Sequence, residues 1–266
     1  PGFWESPQRF AVFGMIEQID RIEAGVAASS RVFRRLSGKT SASRASFPAE
    51  QLGRLALRLL VLETAVSDVE HSLPLDAFLM LETKPSPDAP LSRSEAFLEK
   101  LADMYRAWAA RRGIKVEPLI DERDAHSARI VFAVSGLAAH SLLEKETGLH
   151  VFEEPLEHGR SFSRRPVMVR VAAQPEIPPP HGKAGFRQQA LESLGAEGTS
   201  SAAAPVVARR YREQPSPLVR DAVRDWRTGR IDRVYAGDFD LLASPSLASP
   251  ADTEGEPSET TEADDQ

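Results

Sequence analysis

The chain has 266 residues, 41% of them apolar, enough to bury the core of one or two domains. It has no cysteine, which excludes disulfide scaffolds, thiolate metal sites and thiol catalysis and fits a reducing, cytoplasmic setting. The formal net charge of −6 is an end effect: Pro245–Gln266 holds seven acids and no base, so the remainder nets +1. That tail of Ser, Thr, Pro and Glu buries too little apolar area to offset its ordering entropy, and it reads as disordered. No run reaches about 18 consecutive apolar residues, so no membrane partner is expected.

Residues 1–40 read as helical, with Phe10, Phe13, Ile16, Ile19 and Ile22 recurring at three- and four-residue spacing and only Gln18 interrupting them. After a small, polar stretch from Ser37 to Ser46, a second helix starts near Pro48. It carries Leu52, Leu55, Leu59, Leu62, Val66 and Val69 as one stripe and ends at Pro74. Two helices with one apolar face each pack as a hairpin or small bundle. Lys84–Pro90 is proline-rich and reads as a linker.

The next helix is well marked. Ser92 and Glu95 have capping-box spacing, Phe97, Leu101, Met104, Tyr105 and Trp108 form a face, and Gly113 ends it. Strands are expected over Ile114–Leu119, Arg129–Val134 and Val167–Ala172, with a short helix at Leu137–Lys145. Pro175–Pro180 closes this block. Pro178–Ala204 looks flexible apart from a short helix at Phe186–Leu194. The last ordered piece is Pro205–Leu242. Within it, Arg209–Arg233 sets eight arginines against four acids, around Tyr211 and Trp226. Such a mix suits phosphate contact with base stacking. It equally suits a solvated amphipathic face with Arg–Asp pairs at helical spacing.

The expected fold class is therefore α+β. A helical hairpin or bundle fills 1–83 and a linker 84–93. The α+β sandwich takes its first part from 94–177, and 178–204 is a further linker. A last ordered segment takes 205–243, and 244–266 is a disordered acidic tail. No phosphate-binding Gly-rich loop or nucleophile elbow occurs, and the six histidines have no ligand spacing. No metal and no cofactor are expected.

Four passages carry a resemblance: Pro1–Pro7; Met104–Glu117; Ser135-Gly136 with Leu143–His150; and Leu218–Asp221 with Arg227–Asp240. Together they resemble bacterial class I peptide chain release factors of the UGA- and UAA-reading type. The resemblance implies a codon-reading domain completed by a C-terminal segment that returns after an inserted catalytic domain, and so implies that 205–243 is a return that completes the sandwich. In place of that insertion stands 178–204, and no Gly-Gly-Gln occurs in the chain. Gly185-Phe186-Arg187-Gln188-Gln189 echoes that loop without its paired glycines.

By the same resemblance the codon-reading tripeptide falls on Leu156-Glu157-His158, which lacks the family's hydroxyl and aromatic groups. Glu153, Glu154 and Glu157 bring negative charge towards what would be RNA. The expectation is a translation protein, not an enzyme. It would bind the ribosome (ribosomal RNA and proteins) near the decoding site and act in termination, rescue or regulation without hydrolysing peptidyl-tRNA. The alternative is an RNA-binding or protein-complex adaptor that has left the ribosome, with messenger RNA as a partner or a protein held by the linker or acidic tail. The candidate RNA-contacting residues are Arg160, Phe162, Arg164, Arg165, Arg209, Arg210, Arg220 and Arg227; no catalytic residue is expected.

Overall fold

The computed structural model describes residues 2–5, 8–40, 49–83, 91–124, 127–156, 161–175, 182–199 and 205–240. Helices α1 (Gln8–Thr40) and α2 (Ala49–Glu70) pack against each other as the expected hairpin. Their apolar stripes do not pack whole. On α2, Leu55 and Leu62 are buried while Leu52, Leu59 and Val66 are exposed. On α1, Phe10, Phe13, Ile16 and Ile19 are exposed, and the interrupting Gln18 is buried. Helix α1 packs chiefly on α2, and α2 turns a second face to the helices at Leu91–Arg112 and Ala139–Leu143, so the part of each stripe outside these seams stays in water.

The chain enters the sheet at β1 (Ala77–Thr83), which a domain boundary at residue 83 places with the helices. Five consecutive apolar residues, Ala77 to Leu81, suit a strand covered on both faces. All five are buried. Helix α3 (Leu91–Arg112) follows, then β2 (Lys115–Arg123), β3 (Ala128–Ser135), α4 (Ala139–Leu143), β4 (Gly148–Pro155) and β5 (Phe162–Ala173). Helix α5 (Gly182–Thr199) leads to β6 (Val207–Arg212), β7 (Leu218–Asp221), β8 (Trp226–Thr228) and α6 (Ile231–Tyr235). The eight strands form one sheet in the order β2-β3-β1-β5-β4-β6-β7-β8. Every pairing is antiparallel except β4 with β6. The fold class is mixed α/β with an N-terminal helical segment, and the C-terminal return supplies three of the strands.

Helix α3 lies on one face, its Phe97, Leu101, Tyr105 and Trp108 buried against Leu79, Leu81, Phe132, Val167 and Val169. Gly113, at φ +69, terminates it with the Ile114 N–H donating to the Ala109 carbonyl. The return segment is fastened to the same helix end. Trp108 Nε1 donates to Asp240 Oδ2 at 2.9 Å, Arg112 pairs with Asp240, and Phe239 stacks on Trp108.

The opposite face is covered over β1, β3 and β5 by α5, within the span expected to be a flexible linker. Phe186, Ala190 and Leu194 recur every fourth residue and meet Phe78, Met80, Val131 and Ala172. Phe186 stands edge-on to Phe78 with ring centroids 5.2 Å apart. This helix is twice the length of the expected Phe186–Leu194 piece. The uncovered back of a central sheet gives it a surface to fold on. The acidic tail lies outside the described residues.

Candidate nucleic-acid interface

On β6 successive side chains point to opposite faces of the sheet, and neighbouring arginines therefore have opposite environments. Arg209 and Tyr211 face α3; Arg210 and Arg212 face the α5 side.

Arg209 is 1% exposed and sits in a closed polar cluster. Its Nε and Nη2 donate to Asp221 Oδ2 at 2.9 and 2.6 Å, and Nη2 also donates to Glu146 Oε1 at 2.8 Å. Arg224 pairs with both acids, and the Tyr105 hydroxyl donates to Glu146 Oε2 at 2.9 Å. Burial raises the Glu146 pKa, but the cations of Arg209 and Arg224 outweigh it and hold the carboxyl at about 2. His150 is fully buried; burial and the Arg209 charge depress it to about 4, so its ring is neutral at pH 7. Its Nε2 lies 3.0 Å from the Glu146 carbonyl, which can only accept, so the proton sits on Nε2. Nδ1 then accepts from the Tyr211 hydroxyl at 3.0 Å, whose oxygen accepts from Arg209. All of these polar groups are satisfied internally, so Arg209 leaves the set of candidate RNA contacts: its charge is matched and away from solvent.

The other face of β6 is different. Arg210 is directly opposite Arg220 on β7, and Arg220 is directly opposite Arg227 on β8. The row continues through Val151 on β4 to Pro166 on β5. A neighbouring row holds Arg212, Glu153 and Arg164. Arg164, Arg220 and Arg227 are exposed, and Arg210 pairs with Glu153 at 3.0 Å. Like charges directly opposite on a sheet are destabilising. Arg210, Arg220 and Arg227 border a shallow concavity that also includes Asp225 and Trp226.

Phe162 is half-buried on this face, with the Arg212 guanidinium 5.6 Å above its ring. Arg212 is a site residue the sequence analysis missed; its offset of two from Arg210 is the signal, once β6 is known to be a strand. Arg165 points the other way. It is buried over the Phe152 ring, paired with Glu154, and is corrected out of the contact set.

At the hairpin between β4 and β5, Leu156 is exposed and its N–H donates to the Ser161 carbonyl at 3.0 Å. Glu157, His158 and Arg160 lie outside the described residues. Glu153 and Glu154 do not present bare negative charge, as the sequence suggests: Arg210 neutralises the first, and Arg93 (3.0 Å) with Arg165 the second.

Among the described residues no cluster of His, Asp or Glu could hold a metal ion, and no helix is long and apolar enough to cross a membrane. No curated protein matches the chain. Among solved structures it is similar to RF2 of Thermus thermophilus, with 16% identity, a TM-score of 0.46 and 90% of each chain covered. Residues 92–153, from α3 through most of β4, match the PCRF domain family.

Proposed function

We propose that this is a release-factor-like translation protein that binds ribosomal RNA through the arginine face of its sheet and does not hydrolyse peptidyl-tRNA. The observation that carries the reading is the Arg210–Arg220–Arg227 row, held directly opposite on three adjacent strands, with Arg220 and Arg227 open to solvent. Such a row costs the free protein mutual repulsion, which phosphates relieve with release of counterions. Phe162 beside Arg212 adds a surface on which a base can stack. The PCRF-domain match supports a translational context for this face.

The absence of hydrolysis rests on chemistry. Peptidyl ester hydrolysis needs a water held against the scissile carbonyl, and the Gly-Gly-Gln loop associated with that task does not occur in the sequence. In its place α5 is seated against the sheet by Phe186, Ala190 and Leu194.

Sedimentation of the full chain with ribosomes tests binding. Co-sedimentation that weakens with salt and with Arg220→Glu/Arg227→Glu is expected; a wholly free pool at low salt overturns it. Release of formyl-methionine from programmed ribosomes above background overturns the second half. Crosslinking confined to messenger RNA, with none to ribosomal RNA, favours an adaptor that has left the ribosome.

A further inference from the structure

The α1–α2 hairpin has two apolar seams, and among the described residues only one of them is covered. The inner seam runs through Ile22, Ser29 and Leu36 on α1 and Leu55, Leu62 and Val69 on α2. Gly25 sits against the Leu62 side chain and sets the level at which the helices meet. The outer seam runs through Val12, Ile19, Val26 and Phe33 on α1 and Leu52, Leu59 and Val66 on α2, each 40–61% exposed. Within both helices these outer residues recur every seventh position. That period keeps a seam aligned along a helical neighbour over several turns, as in a coiled coil. The two outer stripes border one groove, with Ser30 between them, Arg34 towards one end and Glu63 towards the other.

We propose that this groove is filled by the same groove of a second copy of this chain, running antiparallel, so that two hairpins make a four-helix bundle about a twofold axis near Ser30 and Leu59. Charge complementarity selects this occupant and this direction. The arm near the hairpin turn exposes Arg31, Arg34, Arg35, Arg54 and Arg58 against Glu50 alone. The arm near the sheet exposes Glu17, Asp20, Glu23, Glu63 and Glu70 against Arg21 alone. An antiparallel partner sets each basic arm beside an acidic one and brings Arg34 of one copy to Glu63 of its partner, twice by symmetry. A parallel partner sets like charges together.

The five seam side chains inside the overlap, Val26, Phe33, Leu52, Leu59 and Val66, expose on the order of 400 Å² per copy, about half of the ~800 Å² that each partner contributes to a standard interface before the flanking arms are added, which fits a dimer in equilibrium with its monomers. The inference is independent of the RNA-binding reading, which uses side chains of β5, β6, β7 and β8 and none of the hairpin.

The test uses the full chain. Sedimentation equilibrium is expected to give twice the 29.1 kDa chain mass, falling to the single-chain mass for Phe33→Glu/Leu59→Glu; a single-chain mass for the unmodified protein up to about 100 μM overturns the proposal. Both substituted positions are exposed, and an unchanged far-ultraviolet circular dichroism spectrum confirms that the variant folds. Arg34→Glu and Glu63→Arg should each weaken dimerisation about tenfold, and together restore it. The chain has no cysteine, so single replacements report direction cleanly. Ser30→Cys should crosslink to itself and Val12→Cys should not; the reverse pattern overturns the antiparallel arrangement.

Discussion

Arg209 and Arg210 are neighbours on one strand, yet they have opposite roles. Arg209 is enclosed among Glu146, Asp221 and Tyr211, its charge matched inside the fold. Arg210 lies on the open face, where the next two positions across the sheet, Arg220 and Arg227, are also arginines. The same side chain serves cohesion on one face and, on the proposed reading, recognition on the other. What separates them is the two-residue period of a strand and which face a helix covers.

The largest effect expected from breaking this division is at Arg209. Arg209→Met leaves the buried Glu146 and Asp221 with Arg224 as their remaining cation, and the loss should be about 3 kcal/mol. A chemical denaturation midpoint checks it; a loss under about 1 kcal/mol would show that the cluster does not hold the return segment. The corresponding change on the open face, Arg210→Met, should cost far less.

Acid probes the same cluster. His150 is neutral in the fold with a pKa of about 4, against 6.5 for the free side chain, so the unfolded chain takes up a proton first. Its contribution is complete above about pH 6.5 and is lost as the pH falls towards 4, on the order of 3 kcal/mol across that window. Glu146, held at about 2, adds a second loss as the pH falls from about 4.5 to 2. The melting temperature should fall in two stages on acidification, and His150→Gln should remove the upper one.

The α5 side sharpens the contrast between the apolar and basic halves of one face. Leu194→Ala should cost about 2–3 kcal/mol and leave RNA affinity unchanged, read by thermal melting and filter binding. The smallest change in stability is expected at Arg220. Arg220→Ala removes the middle of the row, so stability should hold or rise by a few tenths of a kcal/mol. RNA affinity should fall several-fold, with the salt slope reduced by about one. A drop in stability with unchanged affinity would make the row structural.

Much of this was legible in the sequence where one periodicity dominates. The α3 face from Phe97 to Trp108 and the Gly113 stop were plain, because a helix buried on one side leaves a stripe and a left-handed exit. Strand β1 was not read, since Ala77–Leu81 is apolar at every position and has no period to find. Strands β6 to β8 were obscured by their arginines, which can be spaced to suit a helix as well as a ladder. Buried Arg209 could not be told from exposed Arg210 until Glu146 and Asp221, distant in sequence, were brought to it. Of the outer seam of the hairpin, only Ile19, Leu52, Leu59 and Val66 were read, as parts of wider stripes, because a stripe does not say how many neighbours cover it.

The route from β5 to β6 has a consequence for how the chain can be rebuilt. Both strands are held by others: β5 lies between β1 and β4, and β6 between β4 and β7. What is spliced between Ala173 and Val207 therefore has no part in closing the sheet. It must only bring an apolar underside to shield Phe78, Met80 and Val131, as α5 does. The position is a socket. A foreign module with such an underside, grafted in place of 182–199, would be carried at a fixed station beside the arginine rows and delivered wherever they dock.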